Sequence, residues 1–387
     1  MDRTDLLILM LSLLLLLRLA WEAFLARRDR KALRHVIYVN GTRGKSTVTR
    51  MIAAGLTAGG HRVLCKTTGT LPIAIHPDGR QELIERKAPA NIREQLTYLH
   101  KAVKEQADIL VVECMALRPE YQRVSGRDML RSDVGVITNA RLDHMDVMGE
   151  TREEILDALM EMLPKKGHIF TAERDFPRQL GDRAEKLGSA LHISDPASIR
   201  DIPEAMALDF PENVALALDV CVGLGVDRST AFEGLRTFVR DPFALSVFQG
   251  GTLTFVNALS ANDVSSTRMI YEAIGNEGEE LVILINNRGD RPARALDMVR
   301  LCREMGPKRI WLLGDEQRAL TRLCRRAAPA AEVRGFRAAE DIPFISDSPR
   351  LVLAVGNIKN EGMRLVERAQ RELKEQPVHI GGESGHV

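Results

Sequence analysis

From Leu6 to Leu17 every position is apolar except Ser12, and the run continues less cleanly through Leu19, Ala20, Trp21, Ala23, Phe24 and Leu25. Leu6 to Leu25 spans twenty residues, which is what a helix needs to cross a hydrocarbon layer about 30 Å thick. Arg18 and Glu22 interrupt it four residues apart, a spacing that pairs them on a helix near an end where long side chains snorkel. Arg27, Arg28, Arg30, Lys31 and Arg34 follow at once. Positive flanks stay on the cytoplasmic side, so the pattern predicts a single-pass membrane anchor with everything after residue 26 in the cytoplasm. A cleaved signal peptide fits less well, because Asp2, Arg3 and Asp5 give no positive leader and no A-x-A site follows. A helix lying on the membrane or buried against a partner is the other alternative.

From His35 onward, short β-branched runs alternate with helical periods, the pattern of an α/β fold with parallel sheets. The first series of expected strands is Val36–Val39, Ile109–Glu113, Val134–Thr138 and Ile169–Thr171. The second is Leu253–Val256, Leu281–Ile285, Ile310–Leu313 and Leu351–Val355. A helical stretch from Asn213 to Phe238 separates them, and Arg240-Asp241-Pro242 reads as the boundary. A polar helix from Glu361 to Lys374 and a glycine-containing tail from Pro377, expected to be disordered, complete the chain. The expected organisation is therefore an anchor with a basic flank (1–30), a central α/β domain (31–240), a smaller Rossmann-like α/β domain (241–374) and a flexible tail (375–387).

Length and charge sharpen this picture. At 387 residues the chain exceeds one ordinary core. Lys and Arg number 54 against 53 Asp and Glu, a formal net charge of +1, so no global field points to nucleic acid. Aromatics at 4% argue against stacking platforms for single strands. Cys65, Cys114, Cys221, Cys302 and Cys324 are dispersed without a C-x-x-C pair, which reads as reduced thiols rather than a disulfide frame or zinc site.

Val36-Ile37-Tyr38-Val39 runs into Asn40-Gly41-Thr42-Arg43-Gly44-Lys45-Ser46-Thr47, followed by a helical period at Val48, Met51, Ile52 and Leu56. A strand, a tight glycine turn and a helix N-terminus form the geometry that wraps polyphosphate. Backbone N–H groups and the helix dipole favour the anion, a lysine reaches the terminal phosphates, and a hydroxyl meets Mg²⁺. Gly41 and Gly44 allow close backbone approach. The loop is the short G-T-x-G-K-S form, with Val39 where the longer Walker pattern has glycine. Glu113 ends one following strand, and Asn139 to Asp146, with Asp143 and His144, follows another. A carboxylate and an imidazole near Ser46 suit Mg²⁺ or Mn²⁺.

These residues resemble the Mur ligase superfamily of ATP-dependent amide ligases, and more closely the ligase subunit of poly-γ-glutamate synthases (PgsB/CapB type). The closer resemblance rests on residues 40–50, Lys66-Thr67-Thr68-Gly69-Thr70 and Glu113-Cys114-Met115-Ala116. It also rests on Asp143-His144-Met145-Asp146-Val147-Met148-Gly149, Asn262-Asp263-Val264-Ser265-Ser266-Thr267 and Val355-Gly356-Asn357-Ile358. The resemblance implies that ATP phosphorylates a chain-terminal carboxylate and that the amine of an incoming glutamate displaces phosphate. It implies ATP contacts at Gly41, Thr42, Arg43, Gly44, Lys45, Ser46, Thr47, Asn213 and Asp263. Metal ligands would be Ser46, Glu113 and His144. Lys45, His144 and Arg288 would serve the chemistry, and Thr68, Thr70, Asn262, Arg288 and Arg291 the substrate. Partners would be glutamate and its polymer, the membrane, and integral-membrane and extracellular subunits of a synthase complex.

Two departures stand out. Many superfamily members carry a lysine about fifteen residues after the metal histidine; here the neighbourhood is Ala158-Leu159-Met160-Glu161, so Glu161 or water is left for that place. Ser246 stands where an arginine is expected, with Arg240 nearby. Only the leucine run and a short basic stretch precede Gly41, so a UDP-muramyl substrate is not expected. Two alternatives remain: a soluble folylpolyglutamate-synthase-like ligase, and a nucleotide-gated membrane scaffold or transport ATPase that forms no amide.

Overall fold

The computed structural model describes residues 3–69, 72–86, 90–202, 209–241, 243–260, 264–274, 280–290 and 292–376. It divides into two compact units, one of Met1–Asp201 with Pro211–Val239, the other built mainly on Arg240–Val387. The first contains eight described strands: β1 (His35–Asn40), β2 (Val63–Lys66), β3 (Ile73–Ile75), β4 (Gln81–Leu83), β5 (Ile109–Glu113), β6 (Val134–Ile137), β7 (His168–Thr171) and β8 (Ala190–Ile193). They form one sheet in the order β4-β3-β2-β5-β1-β6-β7-β8.

β1 runs parallel between β5 and β6, with Val39 beside Glu113 and Asn40 beside Ile137. β2, β7 and β8 continue the parallel sheet, while β3 and β4 add an antiparallel hairpin at one edge. Val36 to Val39 and Ile109 to Val112 are fully buried, as unbroken apolar runs must be when both faces of a parallel sheet are covered. Helix Lys45–Ala58 packs on helices Pro211–Gly223 and Arg228–Arg236. A Cβ on Gly55 of the first helix would lie 2.7 Å from Cys221 Sγ and 2.8 Å from a Leu235 methyl, so the close helix approach requires glycine there.

The second unit has seven described strands: β9 (Ser246–Gly250), β10 (Leu253–Asn257), β11 (Glu280–Asn287), β12 (Arg309–Gly314), β13 (Glu332–Gly335), β14 (Arg350–Gly356) and β15 (Lys374–Gln376). Their order is β13-β12-β11-β14-β10-β9-β15, with β9 and β15 antiparallel at one edge and the rest parallel. Ile283, Ile285, Leu312, Leu353 and Val355 sit in its core.

The expected strands are present, most of them a residue or two longer. The helical stretch Asn213 to Phe238 holds two helices, Pro211–Gly223, close to the expected helix Glu212–Leu224, and Arg228–Arg236; they are broken where Gly225 takes φ 94° and Asp227 caps the second helix through Thr230. The polar helix stops at Glu372, and Lys374 already belongs to β15, paired with β9. The tail from Pro377 lies outside the described residues. All five cysteines are free and buried.

Arg3–Ala32 is one continuous helix. Its leucines from Leu6 to Leu17 stand half or more exposed, Leu16 by 63%. Its last turns are seated on the first unit. Ala26 packs against that unit's core, and Glu22 pairs with Arg93. Buried Asp29 accepts from His100 Nδ1 at 2.9 Å. Arg30 donates to Asp133 Oδ1 at 2.7 Å and to the Arg131 carbonyl at 2.9 Å. Asp133 also takes the Val36 amide at 2.7 Å and meets the His35 ring at 2.7 Å. Burial alone would raise the Asp133 carboxyl, but His35, the Val36 amide and Arg30 outweigh it and hold it below the ordinary aspartate value.

Asp133→Asn is therefore expected to destabilise the protein by about 1–3 kcal/mol at neutral pH, because it removes the charge and one of the two acceptor oxygens that Arg30, Val36 and His35 share. A carboxyl held low in the folded state stabilises above its unfolded value and loses that contribution as pH falls. The gap in melting midpoint between parent and variant should thus narrow below about pH 3.9. A gap unchanged by acidification would contradict this account.

Candidate active site

The parallel strands of the first unit release their chains on one edge, where open α/β sheets bind ligands. The loop after β1 is shaped by two left-handed glycines, Gly41 at φ 136° and Gly44 at φ 77°. Gly44 immediately precedes helix Lys45–Ala58 and has no side chain to cap it, so the first-turn N–H groups remain available to an anion. A Cβ on Gly41 would fall 2.0 Å from Thr138 Oγ1, and one on Gly44 would fall 2.7 Å from Asn213 Oδ1.

The segment after β6 holds this loop in place. The Thr138 amide donates to the Asn40 carbonyl at 2.9 Å, and its hydroxyl donates to the Arg43 carbonyl at 2.5 Å. Asn139 Oδ1 accepts from the Thr42 hydroxyl at 2.7 Å and the Arg43 amide at 3.1 Å. The Thr42 hydroxyl in turn accepts from the Arg141 amide at 2.9 Å. Lys45 folds back over the loop, its Nζ donating to the Gly41 carbonyl at 2.7 Å and the Thr42 carbonyl at 3.4 Å.

Glu113 is 2% exposed. Its Oε2 accepts from the Ser46 hydroxyl at 2.9 Å and the Thr68 amide at 2.6 Å, while Gln95 Nε2 holds its main-chain carbonyl at 3.2 Å. His144 takes a left-handed φ of 49°, uncommon for a residue with a side chain and costing about 1–3 kcal/mol. Asp143 steadies it, accepting from the His144 amide at 3.0 Å while pairing with Arg43 at 3.5 Å. A cleft of about 260 Å³ gathers these groups. Asn40, Gly41, Thr42, Lys45, Glu113 and His144 line it together with Thr68, Gly69, Arg86, Ala90, Met115 and Leu117.

Ser46, Glu113 and His144 offer a hydroxyl, a carboxylate and an imidazole, a donor set that fits a hard to borderline divalent cation. Among the described residues no group of three or more His, Cys, Asp or Glu gathers, so an ion here would take most ligands from phosphate and water, as Mg²⁺ prefers. Glu161, considered for the place of the absent lysine, pairs with Arg183. Asn213, buried in helix Pro211–Gly223, sits against Gly44. Ser246 begins β9, buried, with its hydroxyl donating to the Ala244 carbonyl at 3.1 Å. Arg288 belongs to the second unit, after β11, and donates to Asp290 at 2.7 Å. Thr70, Asn262, Asp263 and Arg291 lie outside the described residues. Arg86, Thr138 and Leu117 were not singled out from sequence. No motif marks them, and each matters through what the fold sets beside it.

Residues 39–194 match the Mur ligase middle domain, and residues 243–372 match the poly-gamma-glutamate synthase CapB C-terminal domain. The capsule biosynthesis protein CapB of Bacillus anthracis is 30% identical over 372 residues, covering 91% of this chain and 80% of that protein. PGA synthase CapB of Bacillus subtilis is 35% identical over 269 residues, covering 67% of this chain and 68% of that protein. The chain belongs to the CapB family of poly-gamma-glutamate synthases. It is thus an ATP-dependent amide ligase of the Mur type. The fold extends to folate ligases: folylpolyglutamate synthase/dihydrofolate synthase of Yersinia pestis, complexed with AMPPNP and Mn, superposes with a TM-score of 0.64 at 17% identity, covering 90% of this chain and 92% of that one.

Because Gly41 is both left-handed and pressed on Thr138, Gly41→Ala in this CapB-family chain should cost more than about 2 kcal/mol of stability. Gly44→Ala, whose neighbour is a side-chain amide able to shift, should cost less. Gly181→Ala, inside helix Pro177–Leu187 with open space around it, should stabilise by about 0.5–1 kcal/mol. Melting midpoints of the three variants check the order.

Proposed function

We propose that this protein polymerises glutamate through its γ-carboxyl, using ATP, from a single-pass anchor with both α/β units in the cytoplasm. The observation that carries the reading is the convergence of the Gly41–Lys45 loop, Glu113 and His144 on one cleft, in a chain of the CapB family. The triphosphate lies along the Gly41–Thr47 backbone, with Lys45 leaving its loop carbonyls to meet the terminal phosphates. Ser46, Glu113 and His144 would hold Mg²⁺, which neutralises charge built up where two anions meet. Asn213, beside Gly44, borders the nucleotide. From the second unit we assign Asp263 to the nucleotide, and Asn262, Arg288 and Arg291, with Thr68 and Thr70, to the substrates.

The chemistry needs no side-chain nucleophile. A carboxylate oxygen of the polymer end attacks the γ-phosphorus, the bond to the β-phosphate oxygen breaks, and ADP leaves with that electron pair. The amine of free glutamate then attacks the acyl carbon, phosphate departs, and the amine loses a proton. The chain's own contribution is to position and to offset charge, with preorganised donors worth about 10²–10³ in rate each. Helix Arg3–Ala32 is long and apolar enough to span a bilayer, and Arg27 to Arg34 sets its orientation. Glutamate, the growing polymer, and integral-membrane and extracellular subunits that pass it outward are the proposed partners.

ATP hydrolysis stimulated by glutamate and γ-glutamyl oligomers, but not by folate, is the expected result. Stimulation by folate instead supports a folylpolyglutamate-type ligase, and indifference to all three a scaffold or transport ATPase. Lys45→Ala and His144→Ala should each lower polymer formation by at least about 10²-fold with melting midpoints near the parent's. Polymer at the parent rate from either variant would overturn the site. Removal of residues 1–21 should release the protein from washed membranes while sparing Glu22, Asp29 and Arg30, which seat the helix on the first unit. Retention in the pellet would contradict the anchor.

A further inference from the structure

A chain of three charges runs from the cleft lining into the first unit. Lys66, at the end of β2, is fully buried. Its Nζ lies 3.4 Å from Glu94 Oε2, 3.2 Å from Gln95 Oε1 and 3.9 Å from Met115 Sδ, and 5.3 Å above the Tyr98 ring. Glu94 also holds Arg86, its Oε1 accepting from Nε at 2.8 Å and the same Oε2 that meets Lys66 accepting from Nη2 at 3.1 Å. Arg86 lines the cleft with 22% of its side chain exposed.

Burial lowers the Lys66 ammonium from the ordinary lysine value, with Glu94 opposing that shift. Burial likewise would raise Glu94, but Arg86 and Lys66 hold it below the ordinary glutamate value. The trio, cation–anion–cation, carries one surplus positive charge. A buried ion pair is poor value for stability alone, since desolvation of each ion costs several kcal/mol. Here the buried lysine fixes Glu94, and Glu94 takes two nitrogens of the guanidinium fork and leaves Nη1 outside the pair. The result is a preset cation whose rotamer is already paid for.

The geometry points to Arg86, braced by Glu94 and Lys66, as a clamp for a carboxylate of the γ-glutamyl acceptor, rather than for the nucleotide. The phosphate loop has its own donors in Lys45 and the helix N-terminus, and Arg86, which follows β4, lines the same cleft as Thr68 after β2 and Met115 after β5. Met115 and Leu117 in that lining suit the methylene stem of a glutamyl unit. Arg86 would touch the acceptor. Lys66 acts through Glu94 and Gln95 and is a positioning residue. This rests on the ligase reading above and adds the acceptor's place within the cleft.

The test uses full-length protein in detergent with Mg-ATP, glutamate and defined γ-glutamyl oligomers, comparing the parent with Arg86→Gln, Arg86→Lys and Lys66→Met. Arg86→Gln should raise the KM for oligomer about tenfold or more, leaving the KM for ATP within about twofold. Arg86→Lys should recover part of that loss, since charge survives without the fork. Lys66→Met should raise the oligomer KM in the same direction even where its melting midpoint matches the parent's. Binding of oligomer without nucleotide should weaken in parallel. An unchanged oligomer KM in Arg86→Gln, or an equal rise for ATP and oligomer, overturns the clamp. A parent enzyme indifferent to oligomer overturns the ligase reading and the clamp with it.

Discussion

The register of β1 between β5 and β6 is the constraint on which the site depends. Because Val39 sits beside Glu113 and Asn40 beside Ile137, the glycine loop, the carboxylate and the Thr138–Asn139 segment all emerge on one edge. A shift of one residue would turn Glu113 to the opposite face, away from Ser46. The loop itself could not hold its shape unaided. It has two left-handed glycines and an uncapped helix start, and an empty ring of N–H donors gains nothing until an anion arrives. Thr138 and Asn139 supply the missing hydrogen bonds from outside. That preorganisation lets binding energy go into the reaction rather than into ordering the loop.

Much of this was legible in the residues. Periodicity located the central strands because a parallel strand buried on both faces must be a run of Val, Ile and Leu, and β1, β5 and β11 are such runs. The phosphate loop was legible because glycine spacing, lysine and hydroxyl answer one chemical need. What escaped were elements stabilised by pairing rather than by their own composition. β4 (Gln-Glu-Leu), β13 and β15 are polar and short, and only a neighbouring strand makes them strands; β3, β8 and β9, though partly apolar, are only three to five residues long and were missed for want of a period. Within the helical stretch Asn213 to Phe238, a helix ending at Leu224 was legible, while the break after it is made locally by Gly225 and the Asp227 cap.

The same distinction separates the residues found from those missed in the site. Glu113 could be picked out because a charge ending an apolar strand is conspicuous. Arg86 could not, since 28% of the chain is charged and an arginine near a hairpin has no mark of its own. Lys66 stood out only as the first residue of the Lys66-Thr67-Thr68-Gly69-Thr70 stretch, yet its ammonium points inward to Glu94 and Gln95. Gln95 then reaches the Glu113 main-chain carbonyl, so the buried cation and the strand end that carries Glu113 share one amide. Such coupling is a property of the packed wall, not of any local word in the sequence.

A near-neutral chain that handles a polyanion faces a particular difficulty. With a formal net charge of +1 it cannot gather an acidic polymer by its overall field, and exposed charges are screened beyond about 8 Å in the cell. Attraction has to be local and partly dry. The cleft meets that need by placing its cations where solvent is scarce, Lys45 over its loop and Lys66 behind the wall, each already held by protein acceptors. The carboxylates nearby are themselves occupied, Glu113 by Ser46 and Thr68, Glu94 by Arg86. Repulsion of an incoming acid is thereby reduced without surrendering the donors that a metal requires. Selectivity for an acidic acceptor then follows from pairing within the wall, not from an excess of basic residues on the surface.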